Sequence, residues 1–247
     1  MAPLSGPRLS LSSLGWSGLE AVRREVLNAL VELCASSPAR ARTALRVTAR
    51  QASLIDANVH LRSAPTAPAI QVYSGVLYEA LDFASLPATA RARGAQRIAI
   101  ASALWGLVRP NDRIPAYRFS ADSRLPGLSP LPQIWGPPLE AAISQERGLI
   151  VDLRSSVYEK LAPIPATCTQ RAVRLRILQD RGGRLSVVSH HNKATKGRIT
   201  AALLRTAKEP TSASALAAQL RVLGYSTQEN HSTRTGVSVL DVIVEEL

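Results

Sequence analysis

The 247-residue sequence predicts an α/β (α+β) chain, with a helical N-terminal third followed by a mixed β-sheet flanked by helices. Three observations carry that prediction. Apolar residues recur at helical spacing through the first third, short β-branched runs recur through the remainder, and helical segments separate those runs. No repeat or low-complexity linker divides the chain. Residues 17–247 are therefore expected to form one domain behind a variable segment, 1–16.

The elements follow in order. Residues 17–36 place Leu19, Val22, Val26, Leu30 and Leu33 on one helical stripe, with Ser17 as the expected N-cap. Helical segments are expected again at 38–47, where Pro38 starts a turn, and at 48–62. Pro65 and Pro68 interrupt the chain before a short helical stretch, 69–81. "RIAIASALWGLV" (97–108) reads as one buried strand running into a loop, and the Pro-, Gly- and Asp-rich stretch after it as irregular. A helix is expected near 133–146, a second buried strand at 149–155 and a short helix at "SVYEKL". "AVRLRIL" and "RLSVVSH" flank "QDRGG", a hairpin signature. Helices near 194–207 and 212–223 and a closing strand, "VSVLDVIV", complete the chain.

Composition narrows the function classes. Thirty Lys and Arg against 18 Asp and Glu leave a net charge of +12, with a pI near 10.8. Such a balance favours polyanionic partners, because neutralising phosphates releases their counterions. No apolar run is long enough for a bilayer and the opening residues are too polar for a secretory signal, so a cytoplasmic location and no membrane partner are expected. Cys34 and Cys168 lack metal-ligand spacing, which predicts buried thiols, no metal and no cofactor. A Gly-rich phosphate loop, a GxSxG elbow, an HExxH pair and a close carboxylate pair are all missing from the sequence, which lowers the odds of an enzyme.

Polar groups concentrate at three expected strand ends, where ligand groups tend to collect. The first holds Arg109, Asp112, Arg113, Tyr117 and Arg118. The second holds Asp152, Arg154, Ser155, Ser156 and Tyr158. The third, "SHHNKATKGR", holds His190, His191, Asn192, Lys193, Lys196 and Arg198. The chain has only four lysines, two of them in this last stretch. Asn192 could cap a helix beginning near Lys193, whose amides together with both ammonium groups would cradle phosphate. Simpler readings stand beside these. Arg109 to Arg113 could be a salt-bridged turn, Trp105 a core residue, Asp152 a helix-capping acid, and the lysines a solvated first turn.

The motifs in register, "YSGVLYEAL" (73–81), "ALWGLVRPNDRIPAYRFSADSRLPG" (103–127), "IWG" (134–136), "IVDLRSSVYEKL" (150–161) and "VVSHHNKATKGRITAALL" (187–204), resemble the peroxide-stress protein YaaA family. Gly224, Tyr225 and the closing strand extend the likeness. The resemblance implies a cytoplasmic stress protein with a family-specific α/β fold. It also implies DNA binding through a basic cleft and a helix-hairpin-helix-like element, and a role in limiting intracellular iron. Family members begin with an apolar strand and a lysine-bearing Ser/Pro-rich turn, which "MAPLSGPRLSL" lacks. The expectation is either a displaced start or a sheet short of one strand.

Two function classes follow. One is a DNA-binding protein gripping phosphates, with little sequence preference, through Arg109, Arg113, Tyr117, Arg118, Arg154, His191, Asn192, Lys193, Lys196 and Arg198. The other is an enzyme acting on a nucleotide, nucleobase or other phosphorylated small molecule, with Asp152, Tyr158 and His190 as candidate catalytic groups.

Overall fold

The computed structural model describes residues 5–182, 184–186, 189–231 and 236–244. The fold is α/β, as the sequence predicts, and the residues group into two compact units. The first lies within Met1–Val72, Ile98–Ala142 and Arg154–Pro163, and the second within Tyr73–Arg97, Ile143–Leu153 and Ile164–Leu247.

In chain order, the first unit begins with α1 (Glu20–Ser36), α2 (Pro38–Ala44), α3 (Ser53–Val59), β1 (Thr66–Pro68) and α4 (Ala69–Val72). The second unit then takes α5 (Val76–Leu81) and α6 (Ala88–Arg97). The first resumes with β2 (Ile100–Ser102), β3 (Gly106–Val108), β4 (Arg113–Pro115) and most of α7 (Leu131–Gln145). After β5 (Ile150–Asp152) in the second unit and α8 (Ser156–Leu161) in the first, the remainder belongs to the second. It comprises β6 (Ala172–Arg181), β7 (Arg184–Ser186), α9 (Ser189–Arg205), α10 (Ala213–Val222), β8 (Ser226–His231) and β9 (Ser238–Val244). Among the described residues no helix is long and apolar enough to cross a membrane.

The first unit is built on α1, whose inward stripe is Arg23, Val26, Leu27, Leu30, Val31, Leu33 and Cys34. Ser17 opens a 3-10 turn rather than capping α1, which starts at Glu20. Residues 97–108 do not form one strand. They form an antiparallel hairpin, β2 with β3, registered Ile100↔Val108 and turning through Ala103–Trp105. Gly106 takes φ +70°, and a Cβ there would meet the Trp135 ring at 2.7 Å, so this corner admits only glycine. The Pro-rich stretch expected to be irregular contributes β4, which pairs antiparallel with β1 through Ala67↔Ile114. Ahead of α1 the described residues contact the first unit: the Thr66 N–H donates to the Pro7 carbonyl at 3.1 Å, Arg8 bridges Pro65, and Leu14 is buried.

The second unit carries a sheet ordered β5-β6-β9-β8, with β7 paired to β6. β5 and β9 run parallel to β6, and β8 is antiparallel to β9. The expected hairpin is present as β6 and β7, registered Gln179↔Ser186. Alternation along β6 turns Val173, Leu175 and Ile177 inward with Leu240 and Val242, against Ile199 of α9 and Leu216, Ala217 and Leu220 of α10. The other face carries a polar cluster. Arg176 grips Asp241 through two hydrogen bonds of 2.6 and 2.7 Å, and Asn230 donates to the same carboxylate at 2.8 Å. Strand β8, "STQENH", has no apolar alternation and escapes pattern reading, as does the Ala- and Arg-rich α6.

Two contacts fix α9. Gly197 sits against α5, where a Cβ would lie 2.8 Å from the Leu81 nitrogen and closer still to the Leu77 carbonyl oxygen. Arg93 of α6 donates to the Leu204 and Arg205 carbonyls, placing a cation on the helix's C-terminal end. Replacing Gly197 with Ala is expected to push α5 and α9 apart, lowering unfolding free energy by about 1–3 kcal/mol, as measured by urea denaturation.

Candidate functional site

In the first unit one buried arginine organises the loop that holds the candidates. Arg23 is inaccessible to solvent, and its guanidinium donates to the carbonyls of Gly15 (2.6 Å), Leu107 (2.7 Å) and Trp105 (3.0 Å). Burial lowers its pKa to about 10, partly opposed by Asp112 and Glu20, so it remains charged at neutral pH. The Asp112 carboxylate accepts the backbone N–H of Arg109 at 2.8 Å and of Gly15 at 2.9 Å. The Asp112 carboxylate therefore closes the 109–112 turn through backbone amides. Arg109 lays its guanidinium over the Trp16 ring, 3.9 Å from the centroid, a cation–π contact.

Trp105 is a core residue with no exposed surface, and Tyr117 stands edge-on to it. The Ser102 hydroxyl oxygen receives the N–H groups of Leu104 and Trp105 at 3.2 and 3.0 Å. With both lone pairs taken, its own hydrogen points to the Tyr117 oxygen 2.7 Å away, which turns the Tyr117 hydrogen outward as a donor.

The remaining first-unit candidates divide. Arg113 is committed to the fold, donating to the carbonyl (2.9 Å) and hydroxyl (3.3 Å) of Thr66. Arg154 donates to the Ala162 carbonyl at 2.7 Å. Arg118 keeps its side chain in solvent while the buried Asn58 amide clamps its backbone, donating to the Arg118 carbonyl at 2.8 Å and accepting its N–H at 2.9 Å. Tyr158 is drawn into the same neighbourhood. Burial raises its pKa, the nearby Asp122 carboxylate adds to the rise, and Arg118 opposes it. Asp122 is itself held anionic by the Ser120 hydroxyl at 2.6 Å and by Arg46 at 2.8 Å.

The second unit holds the others. The helix begins at Ser189, so Asn192 lies inside its first turn and is not its cap, because the preceding polar residues are already helical. His190 and His191 are in that turn, and their side chains fall outside the described residues. Lys193 is exposed, and Arg198 is exposed with a 3.1 Å bond to Thr195. Lys196 is different. It is 8% exposed and donates at 3.0 Å to the Leu153 carbonyl, just past the end of β5. Asp152, the last residue of β5, is buried. The N-cap position of the next helix is Ser155, which makes no side-chain cap hydrogen bond. Tyr73 and Tyr78, on either side of the start of α5, stack at 5.6 Å. Among the described residues no group of three or more His, Cys, Asp or Glu could hold a metal ion.

The family described as peroxide stress protein YaaA matches residues 16–231. The chain belongs to that family. A UPF0246 protein of Streptomyces coelicolor is 40% identical over 245 residues, covering 98% of this chain and 94% of the relative. Similar UPF0246 proteins occur in Corynebacterium efficiens, 35% identical over 240 residues with 96% and 94% covered, and in Corynebacterium glutamicum, 34% identical over 230 residues with 92% and 89% covered.

Measured against this family member's structure, sequence reasoning missed Arg23, Asn58, Ser102 and Trp16. Arg23 had a signal, since it stands three residues before Val26 and seven before Leu30, on the apolar stripe. Asn58 and Ser102 had none, because their partners are sixty residues away or in a turn that periodicity does not reveal.

Arg23→Met is expected to destabilise the first unit by about 2–4 kcal/mol, measured by urea denaturation, since three buried carbonyls lose a charged donor. Tyr158 should make unfolding pH-dependent. Its folded pKa lies above the unfolded value, so its contribution is complete below that value and is lost as pH rises through the folded one. Denaturation between about pH 9 and 11 should show stability falling, with a shallower fall in Tyr158→Phe.

Proposed function

We propose that this family member is a cytoplasmic DNA-binding protein of the peroxide stress response, gripping phosphates with little regard to sequence. The observation that carries the proposal is that Arg118 and Lys193 are exposed and form no ion pair among the described residues, while the backbone beneath each is anchored. Asn58 clamps the first, and the Lys196 anchor with the Gly197 crossing holds the helix that bears the second. A fixed cation loses little freedom on meeting a phosphate. The overall charge of +12 favours the same partner, and two buried free thiols fit a reducing compartment.

A phosphorylated small molecule is the second reading. Tyr158 favours it, because a largely buried hydroxyl that resists ionisation beside an exposed arginine is a recurrent feature of substrate pockets. In that case a mononucleotide should bind with an affinity that duplex length does not improve.

The triple substitution Lys193→Ala, Arg198→Ala and Arg118→Ala is expected to weaken duplex binding and to flatten its log K against log salt slope by about one unit per phosphate contact removed. Fluorescence anisotropy at two or more salt concentrations measures this. An unchanged slope would remove these cations from the interface.

A further inference from the structure

The first unit carries a second basic surface that includes none of the candidate site residues. Residues 37–55 hold Arg40, Arg42, Arg46 and Arg50 with no Asp or Glu among them. All four are exposed. Arg46 is neutralised by Asp122 at 2.8 Å, but among the described residues Arg40 and Arg42 form no ion pair, and neither does Arg124, two residues past Asp122. Arg40 on α2 and Arg124 on the facing loop line one cleft of about 770 Å³, so guanidinium groups rise from both of its walls.

The lining chooses among anionic partners. It contains no aromatic side chain, so it offers no platform on which the bases of a single strand could stack. Its polar lining groups are the guanidiniums of Arg40 and Arg124 and the hydroxyls of Thr43, Ser123 and Ser129, and none of the buried polar atoms that lack a hydrogen-bond partner belongs to it. What remains is an apolar trough edged by cations, suited to a linear polyanion whose charges run along its outside. Arginine's planar fork meets phosphate oxygens in pairs.

We propose that this arginine-walled cleft is a second phosphate-contact surface for the backbone of duplex DNA, separate from the cations on α9. The inference rests on the DNA-binding reading and extends it to arginines that are not among the candidate site residues. Arg40 and Arg124 supply the contacts from the cleft, Arg42 adds an exposed flanking cation on the same helix outside the lining, and Arg46 holds the loop through Asp122.

The test titrates the full chain with a labelled ~20-base-pair duplex between about 50 and 200 mM salt. Arg40→Gln, Arg42→Gln and Arg124→Gln together are expected to lower the salt slope by about two to three units, at about 0.9 per phosphate, while the three corresponding Lys substitutions restore most of it. Wild-type binding with an unchanged slope in the Gln variant overturns this proposal alone. No wild-type binding at all overturns the DNA-binding reading and this proposal with it. A Gln variant that loses binding to phosphatidylglycerol vesicles but keeps its duplex slope assigns the surface to lipid and overturns it equally. On the unsubstituted chain, duplex should protect Arg40 and Arg124 from phenylglyoxal. Equal modification with and without duplex is the contrary result and needs no variant to fold.

Discussion

The first unit depends on a charge placed where water cannot reach it. Between β2 and β3 the chain must reverse inside apolar packing, and the reversal leaves the Trp105 and Leu107 carbonyls facing inward without strand partners. A buried carbonyl left unmet costs about 1–3 kcal/mol. Arg23 meets both and adds Gly15, so one side chain joins α1, the hairpin and the N-terminal segment. Its depressed pKa, about 10, measures the strain of burying the charge, and three short hydrogen bonds offset it. Asp112 completes the arrangement from the other side by capping Arg109 and Gly15. Arg109 then lies over the Trp16 ring, and Tyr117 stands edge-on to Trp105.

The second unit solves a different problem, that of holding a long helix at a defined height above a sheet. Val173, Leu175 and Ile177 supply the apolar floor. Within "KATKG" the residues divide the labour. Lys196 turns inward to the Leu153 carbonyl, and Gly197 removes the side chain that would keep α5 away. Lys193 is left in solvent. Two lysines that look equivalent in the sequence thus have opposite fates, one as a tether and one as an exposed charge. The same separation appears in the first unit, where Arg113 and Arg154 are spent on backbone carbonyls and Arg118 is left outward.

Membership of the YaaA family joins these features to peroxide stress through the family's description. Some family motif residues are framework: Gly106 and Trp135 fit each other at a corner, and Gly197 fits α5. Others, Arg118 and Lys193, present charge. The exposed arginines of α2 belong to neither group and follow from this chain's preference for arginine and its scarcity of nearby acids.

The sequence by itself determined the fold class, the buried cysteines, the β6–β7 hairpin, the short helix at "SVYEKL" and the cationic character, because periodicity, turn residues and net charge are local or additive. Only the tertiary structure decided the rest. It split the 97–108 run into a hairpin, since a β-branched run states burial but not where the chain reverses. It admitted the polar β8, which pairs with β9 along its backbone and through the Asn230–Asp241 bond rather than through apolar side chains. It also determined which cations face water, because a guanidinium or ammonium is drawn to whichever unmet carbonyl the folded chain brings near it, and that carbonyl lies eighty residues away for Arg23 and forty for Lys196.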